Sequence, residues 1–118
     1  MILGIGIDLL KVSRIKKVLD KYGYTFLSKV FTENEIKRNS KFISKVNKFA
    51  KCYASKEAFV KALGTGFKEG VSYKDISLNN LNTGQPFLFL SQSIKKELKK
   101  KTPAGYKAVL NISITDEL

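Results

Sequence analysis

From Lys45 to Leu63 the chain runs without a proline or a glycine, and it then meets Gly64 and Gly66. Val46, Phe49, Ala50, Tyr53 and Val60 share one stripe at helical spacing, and the two glycines supply the stop. This is the longest helix the sequence predicts. The whole chain has 118 residues, which is one domain's worth and enough to hide roughly two-thirds of its unfolded surface.

The flanking elements follow from local patterns. Ile2 to Ile7 alternate Ile or Leu with Gly and end in Asp8, which predicts a strand whose glycines let another backbone or a ligand approach closely. Val12, Ile15, Val18, Leu19 and Tyr22 have helical spacing and stop at Gly23. Thr32-Glu33-Asn34-Glu35 is a capping-box pattern opening a short second helix. Ile76 to Leu81 and Phe87 to Leu90 read as a hairpin across Asn82-Thr83-Gly84-Gln85-Pro86. Ser91 caps a basic helix through Lys101, Thr102-Pro103-Ala104-Gly105 breaks it, and Val109 to Ile114 alternate as a last strand. Types are mixed without regular β/α alternation, so the predicted class is α+β, with a small antiparallel sheet packed against one long helix and shorter ones.

Composition narrows the chemistry. The chain has no histidine, which removes His-based triads, HExxH zinc sites and His general bases. Cys52 is the single cysteine, so no internal disulfide forms, and without histidine it is a poor nucleophile. No apolar run approaches the roughly 20 residues of a spanning helix, and Met1 opens no signal-peptide pattern. The expected location is the cytoplasm, or an organellar matrix in a eukaryote.

Twenty-two Lys and Arg against ten acids give a net charge of +12, a field that gathers polyanions: nucleic acid, an anionic membrane, or a phosphorylated ligand or acidic protein. A lysine-rich surface serving solubility alone explains the number equally well.

Two acids stand out. Glu57 lies four residues after Tyr53 and seven after Ala50, which places a carboxylate on the apolar stripe of the long helix. It needs a partner: Lys61, Lys56 or another lysine, a proton, or a metal ion. Asp8 closes an apolar strand, either as a cap or turn residue before the first helix or, with Glu57, as a hard oxygen ligand for Mg²⁺. Gly64-Thr65-Gly66 beside Lys61 either ends the helix or cradles a phosphate. Lys11, Arg14, Lys17 and Lys21 form a basic stripe on the first helix, a solvated face or a dock for an acidic helix.

Four blocks taken jointly resemble the bacterial-type holo-acyl-carrier-protein synthases. They are Gly4-Ile5-Gly6-Ile7-Asp8 with Ser13-Arg14-Ile15, then Val30-Phe31-Thr32-Glu33-Asn34-Glu35, then the run from Ala54 to Gly66 that contains Lys56-Glu57-Ala58 and Gly64-Thr65-Gly66, and Gly84-Gln85-Pro86. The resemblance covers nearly the whole chain and implies a 4′-phosphopantetheinyl transferase fold in one domain over residues 1–118. It implies that the 4′-phosphopantetheine arm of coenzyme A moves to a serine of acyl carrier protein, for fatty acid biosynthesis, with Mg²⁺ held by Asp8 and Glu57. Lys61, Gly64, Thr65 and Gly66 would lie near the coenzyme A phosphates. Arg14, with Lys17 and Lys21 on the same stripe, would grip the carrier, and the assembly would be a homotrimer with active sites between subunits. Glu57 is the expected general base.

The chain also departs from that pattern. Cys52 stands where an arginine is usual, Ser113-Ile114-Thr115-Asp116 lacks the histidine many relatives carry, and relatives usually continue past Leu118 into one more apolar strand, so either the sequence is shortened here or that strand is absent, which would expose a sheet edge. Two other readings remain at this stage: a basic nucleic-acid-binding protein, for which no reader motif is present, and a relative that binds coenzyme A or carrier without turnover.

Overall fold

The computed structural model describes residues 1–40, 45–67 and 71–115. Among them lie α1 (Val12–Tyr22), α2 (Tyr24–Val30), α3 (Glu33–Asn39), α4 (Lys45–Leu63), a 3₁₀ turn at Tyr73–Asp75, β1 (Ile76–Asn80), β2 (Pro86–Leu90) and α5 (Gln92–Lys101).

Each boundary has a local cause. Gly23 takes φ 54°, a left-handed conformation that suits glycine, and its N–H donates to the Leu19 carbonyl, so α1 ends there. The Thr32 side chain accepts from the Glu35 N–H while Glu35 accepts from the Thr32 N–H, the reciprocal arrangement the sequence pattern predicts. Ser91 accepts from Ile94 N–H at the start of α5, and Lys99, Lys100 and Lys101 sit at its negative end. The hairpin pairs Ile76 with Leu90, Leu78 with Leu88 and Asn80 with Pro86. Gly84 closes its loop at φ 91°, donating to the Leu81 carbonyl.

α4 is the spine, and it serves two apolar clusters. Its first half puts Phe49, Ala50 and Cys52 against Ile15, Val30, Phe31 and Leu78. Its second half puts Phe59, Val60 and Leu63 against Val71, Ile76, Leu90 and Ile94. Leu88 of β2 touches both clusters, so the hairpin lies along the spine and joins them.

Two expectations are corrected. Neither 2–7 nor 109–114 forms a strand; β1 and β2 make the only sheet among the described residues. Alternation reports which way successive side chains point, whereas a ladder needs a partner backbone at the right distance; beside 2–7 that place is taken by α4, and in 109–114 Ile112 and Ile114 pack on the first apolar cluster without a partner strand among the described residues. A Cβ on Gly6 would stand 1.7 Å from the Ala58 carbonyl oxygen, and one on Gly4 would stand 2.0 Å from that of Ala62. The glycines therefore do permit close approach of another backbone, but it is that of α4. The outward side chains Ile5, Ile7 and Leu9 are 72, 76 and 96 % exposed. α2, with no turn residue between it and Gly23, had no separate signal in the sequence. Asp116 of the C-terminal motif lies outside the described residues. No described helix is long and apolar enough to cross a membrane.

Candidate active site

At about 100° per residue, Tyr53, Glu57 and Lys61 fall along one stripe of α4, each about 40° from the next. Glu57 thus has Tyr53 one turn before it and Lys61 one turn after. The Lys61 ammonium donates to Asp8 Oδ1 and to the Ile7 carbonyl, both at 3.1 Å. This contact brings the carboxylate of Asp8 to α4, at the residue one turn after Glu57, across 53 residues of sequence. The Asp8 side chain is 14 % exposed and that of Lys61 54 %, so the acid is sheltered and the base reaches solvent. Among the described residues the ammonium has these two acceptors, which leaves one of its three donors for a further anion.

Glu57 is held from its other side. The Tyr73 hydroxyl donates to Glu57 Oε1 at 2.7 Å. Burial, then the neighbouring Tyr53 and Glu57, push the Tyr73 phenol well above its usual range, so it stays protonated and remains a donor. Lys61 pairs with Asp8 and Lys56 with Glu35, so the two lysines named as ion-pair partners for Glu57 are both engaged elsewhere.

Beneath the site lies a buried ion pair. The Lys56 ammonium, fully buried, meets Glu35 Oε1 at 2.6 Å and donates to the carbonyls of Val30 at 2.8 Å and Tyr73 at 2.9 Å. Glu35 Oε2 accepts from the Leu78 N–H. One pair therefore ties α2, α3, α4, the 3₁₀ turn and β1 together. Burial lowers the Lys56 pKa from its usual value, and Glu35 pulls it back up. Cys52, beside this pair, is pushed up to about 12, by burial first and then by Glu35, so the thiol is inert at neutral pH.

Gly64 and Gly66 leave α4 with φ 83° and 63°, and the Thr65 hydroxyl donates to the Gly66 carbonyl. The loop departs from the negative end of the helix dipole. Any phosphate there depends on Lys61 and loop N–H groups, with no help from the dipole. Arg14, Lys17 and Lys21 are exposed on α1 while Ile15 is buried, which puts the basic stripe in solvent as expected.

The sequence profile of the 4′-phosphopantetheinyl transferase superfamily matches residues 4–110. The chain belongs to this family. A relative from Ruegeria, a holo-[acyl-carrier-protein] synthase, is 43 % identical over 99 % of this chain and 82 % of its own. Among solved structures, the synthase of Neisseria meningitidis superposes with a TM-score of 0.80 at 35 % identity, covering 86 % of this chain and 81 % of that one. The Bacillus anthracis synthase, in complex with CoA (3′,5′-ADP), gives 0.70 at 39 % identity, covering 78 % of each. The α+β class is that of these transferases, with two antiparallel strands and five helices described here.

In this transferase the structure ties Asp8 to Lys61, one turn of α4 after Glu57, with the Gly64 to Gly66 loop about one turn beyond. α1 and its basic stripe begin four residues after Asp8. Three residues escaped the sequence reading: Tyr73, Glu35 and the buried role of Lys56. Glu35 was visible only as a capping residue, and Tyr73 carried no signal at all.

Gly4 and Gly6 set how closely the segment leading to Asp8 approaches α4. Gly6→Ala places a methyl against backbone that cannot yield, so the segment must lift and Lys61 loses its acid. Turnover is expected to fall about 10- to 100-fold, as for ångström-scale misplacement of a reacting group, with the melting temperature changed little. Steady-state kinetics and thermal melting check this, and wild-type turnover would show that the segment does not position Asp8.

Proposed function

We propose that this chain transfers 4′-phosphopantetheine from coenzyme A to a serine of apo-acyl carrier protein, giving holo-carrier and 3′,5′-ADP. The observation that carries the reading is the bond between Lys61 and Asp8 one turn of α4 after Glu57, within a family whose members are named for this activity. The serine oxygen bonds to the β-phosphorus, the bridge to the α-phosphate breaks, and 3′,5′-ADP leaves. The serine proton passes, through a water, to the Glu57 carboxylate. Lys61 and the N–H groups of the Gly64 to Gly66 loop hold phosphate oxygens. Arg14, Lys17 and Lys21 dock the acidic carrier, so association weakens with added salt.

The residues present fit Mg²⁺. Asp8 and Glu57 are hard oxygen donors, Asp8 bound to Lys61 and Glu57 one turn of α4 before that lysine, and among the described residues no cluster of three Asp, Glu or Cys forms. That matches an ion that takes one or two carboxylates and fills its shell with water and substrate phosphates. When bound, Mg²⁺ would neutralise charge on the pyrophosphate. Ile5, Ile7 and Leu9 stand in solvent on a segment that touches the site, which supports a homotrimer with active sites between subunits. The whole chain acts in this reading as one transferase domain serving fatty acid synthesis in the cytoplasm or an organellar matrix.

The test is to mix the protein with apo-carrier, coenzyme A and Mg²⁺ and to weigh the carrier by mass spectrometry. Carrier mass is expected to rise by one phosphopantetheine arm, EDTA to stop the gain, and the enzyme itself to scatter light as three 13.3 kDa chains. An unchanged carrier sinks the activity, a gain insensitive to EDTA sinks the metal, and a monomer sinks the trimer.

A further inference from the structure

Tyr73 is fixed at three points, more than its place on a single 3₁₀ turn requires. Its carbonyl accepts from the buried Lys56 ammonium at 2.9 Å. Its ring stacks on Phe67 at 3.7 Å and on Tyr53 at 5.6 Å, both at 22°. The turn itself is clamped by Ser72 and Asp75, which cap it reciprocally. All of this restraint converges on one hydroxyl, and that hydroxyl donates to Glu57 Oε1 at 2.7 Å.

The bond decides what Glu57 can do. A glutamate four residues before a lysine on a helix ordinarily folds over to pair with it. Here Lys61 pairs instead with Asp8, and Glu57 is drawn to the opposite side by a neutral donor. A neutral donor orients the carboxylate and leaves its charge intact, whereas a lysine would neutralise it. Oxygen Oε2 is left for the chemistry.

We propose that Tyr73 is the positioning residue of this active site: its hydroxyl holds Glu57 Oε1, keeps Glu57 from pairing with Lys61, and thereby presents Oε2 to the divalent ion. The inference rests on the reading of Glu57 as an ion ligand, and the experiment separates the two.

The probe is Mn²⁺ in the presence of coenzyme A, with free ion counted by its electron paramagnetic resonance signal, so that affinity is read without turnover. Tyr73→Phe keeps both ring stacks, so its melting temperature is expected to stay near that of the wild type. Its Mn²⁺ affinity is expected to fall about 10-fold, the lower end of what loss of a hydrogen bond to a metal ligand costs. Activity is expected to need correspondingly more Mg²⁺, while the KM for coenzyme A at saturating Mg²⁺ holds. Unchanged Mn²⁺ affinity in a folded Tyr73→Phe overturns the proposal.

A second arm, Phe67→Leu, removes a stacking ring and retains the hydroxyl. It is expected to weaken Mn²⁺ binding less than Tyr73→Phe does, and a larger loss would assign the effect to ring packing and also overturn the proposal. Glu57→Gln tests the underlying reading alone: it is expected to lose Mn²⁺ binding, and wild-type affinity there removes Glu57 as a ligand and the proposal with it. Loss in Glu57→Gln with none in Tyr73→Phe keeps the ligand and discards the positioning role.

Discussion

Replacing Glu57 with glutamine is expected to lower the rate of phosphopantetheine transfer by about 1,000-fold or more while leaving the protein folded. The amide preserves size and still offers Oε1 to the Tyr73 hydroxyl, so the contact at 2.7 Å survives. It removes the negative charge and the second carboxylate oxygen. A positioned general base alone is worth about 10²- to 10⁴-fold, and weakened ion binding adds to that loss. Stability should change little, since Glu57 is only partly buried and its salt-bridge candidates are committed to other acids. The measurement is initial rate at saturating coenzyme A and carrier, beside a thermal melt. A folded Glu57→Gln with near wild-type rate ends the assignment of Glu57 as base and leaves Asp8 and Lys61 without their counterpart.

The second large effect is on the fold. Lys56→Met is expected to cost about 3 to 5 kcal/mol, the range for removing one member of a buried pair. That is a large part of the stability of an ordinary domain, usually about 5 to 15 kcal/mol, so the variant should be partly unfolded at physiological temperature. The reason is asymmetry. Methionine fills much of the same volume beside Phe31, whose ring lies 5.2 Å from the ammonium, but it strands the Glu35 carboxylate and two carbonyls in a dry interior. Adding Glu35→Gln is expected to recover about 1 to 3 kcal/mol, because the amide can still accept from a backbone N–H without bringing a charge. Urea denaturation of the single and double variants measures both numbers. A loss below about 1 kcal/mol for Lys56→Met, or no recovery in the double variant, would show that the pair is not what ties the elements together.

The two effects are linked through Tyr73. Lys56 holds its carbonyl, and its hydroxyl holds Glu57, so the pair that secures the fold also supports the orientation of the carboxylate proposed as the base. Neighbouring positions on α4, Lys56 facing the core and Glu57 facing the site, thus divide stability and chemistry between two sides of one helix.

What the chain declares along its own length is whatever needs only near neighbours. The bounds of α4, the reciprocal cap of Thr32 and Glu35, the stop at Gly23, the hairpin turn at Gly84 and the Ser91 cap all depend on groups within a few residues, and each was legible. So was the close approach that Gly4 and Gly6 allow, whereas the charge on the buried face of α4 is Lys56 and not, as the spacing suggested, Glu57, which is only half-buried. Which partners those groups would meet was not legible. Asp8 and Lys61 are 53 residues apart, Glu35 and Lys56 are 21, and Glu57 and Tyr73 are 16, and local periodicity carries no information about such pairings. The same reason explains the two misread strands: alternation shows how side chains point along a segment, but only the packed chain decides whether a partner strand lies beside it, and beside 2–7 it puts the flank of α4. Local propensity set the elements and marked the acids, and close packing of α4 against the rest chose their partners.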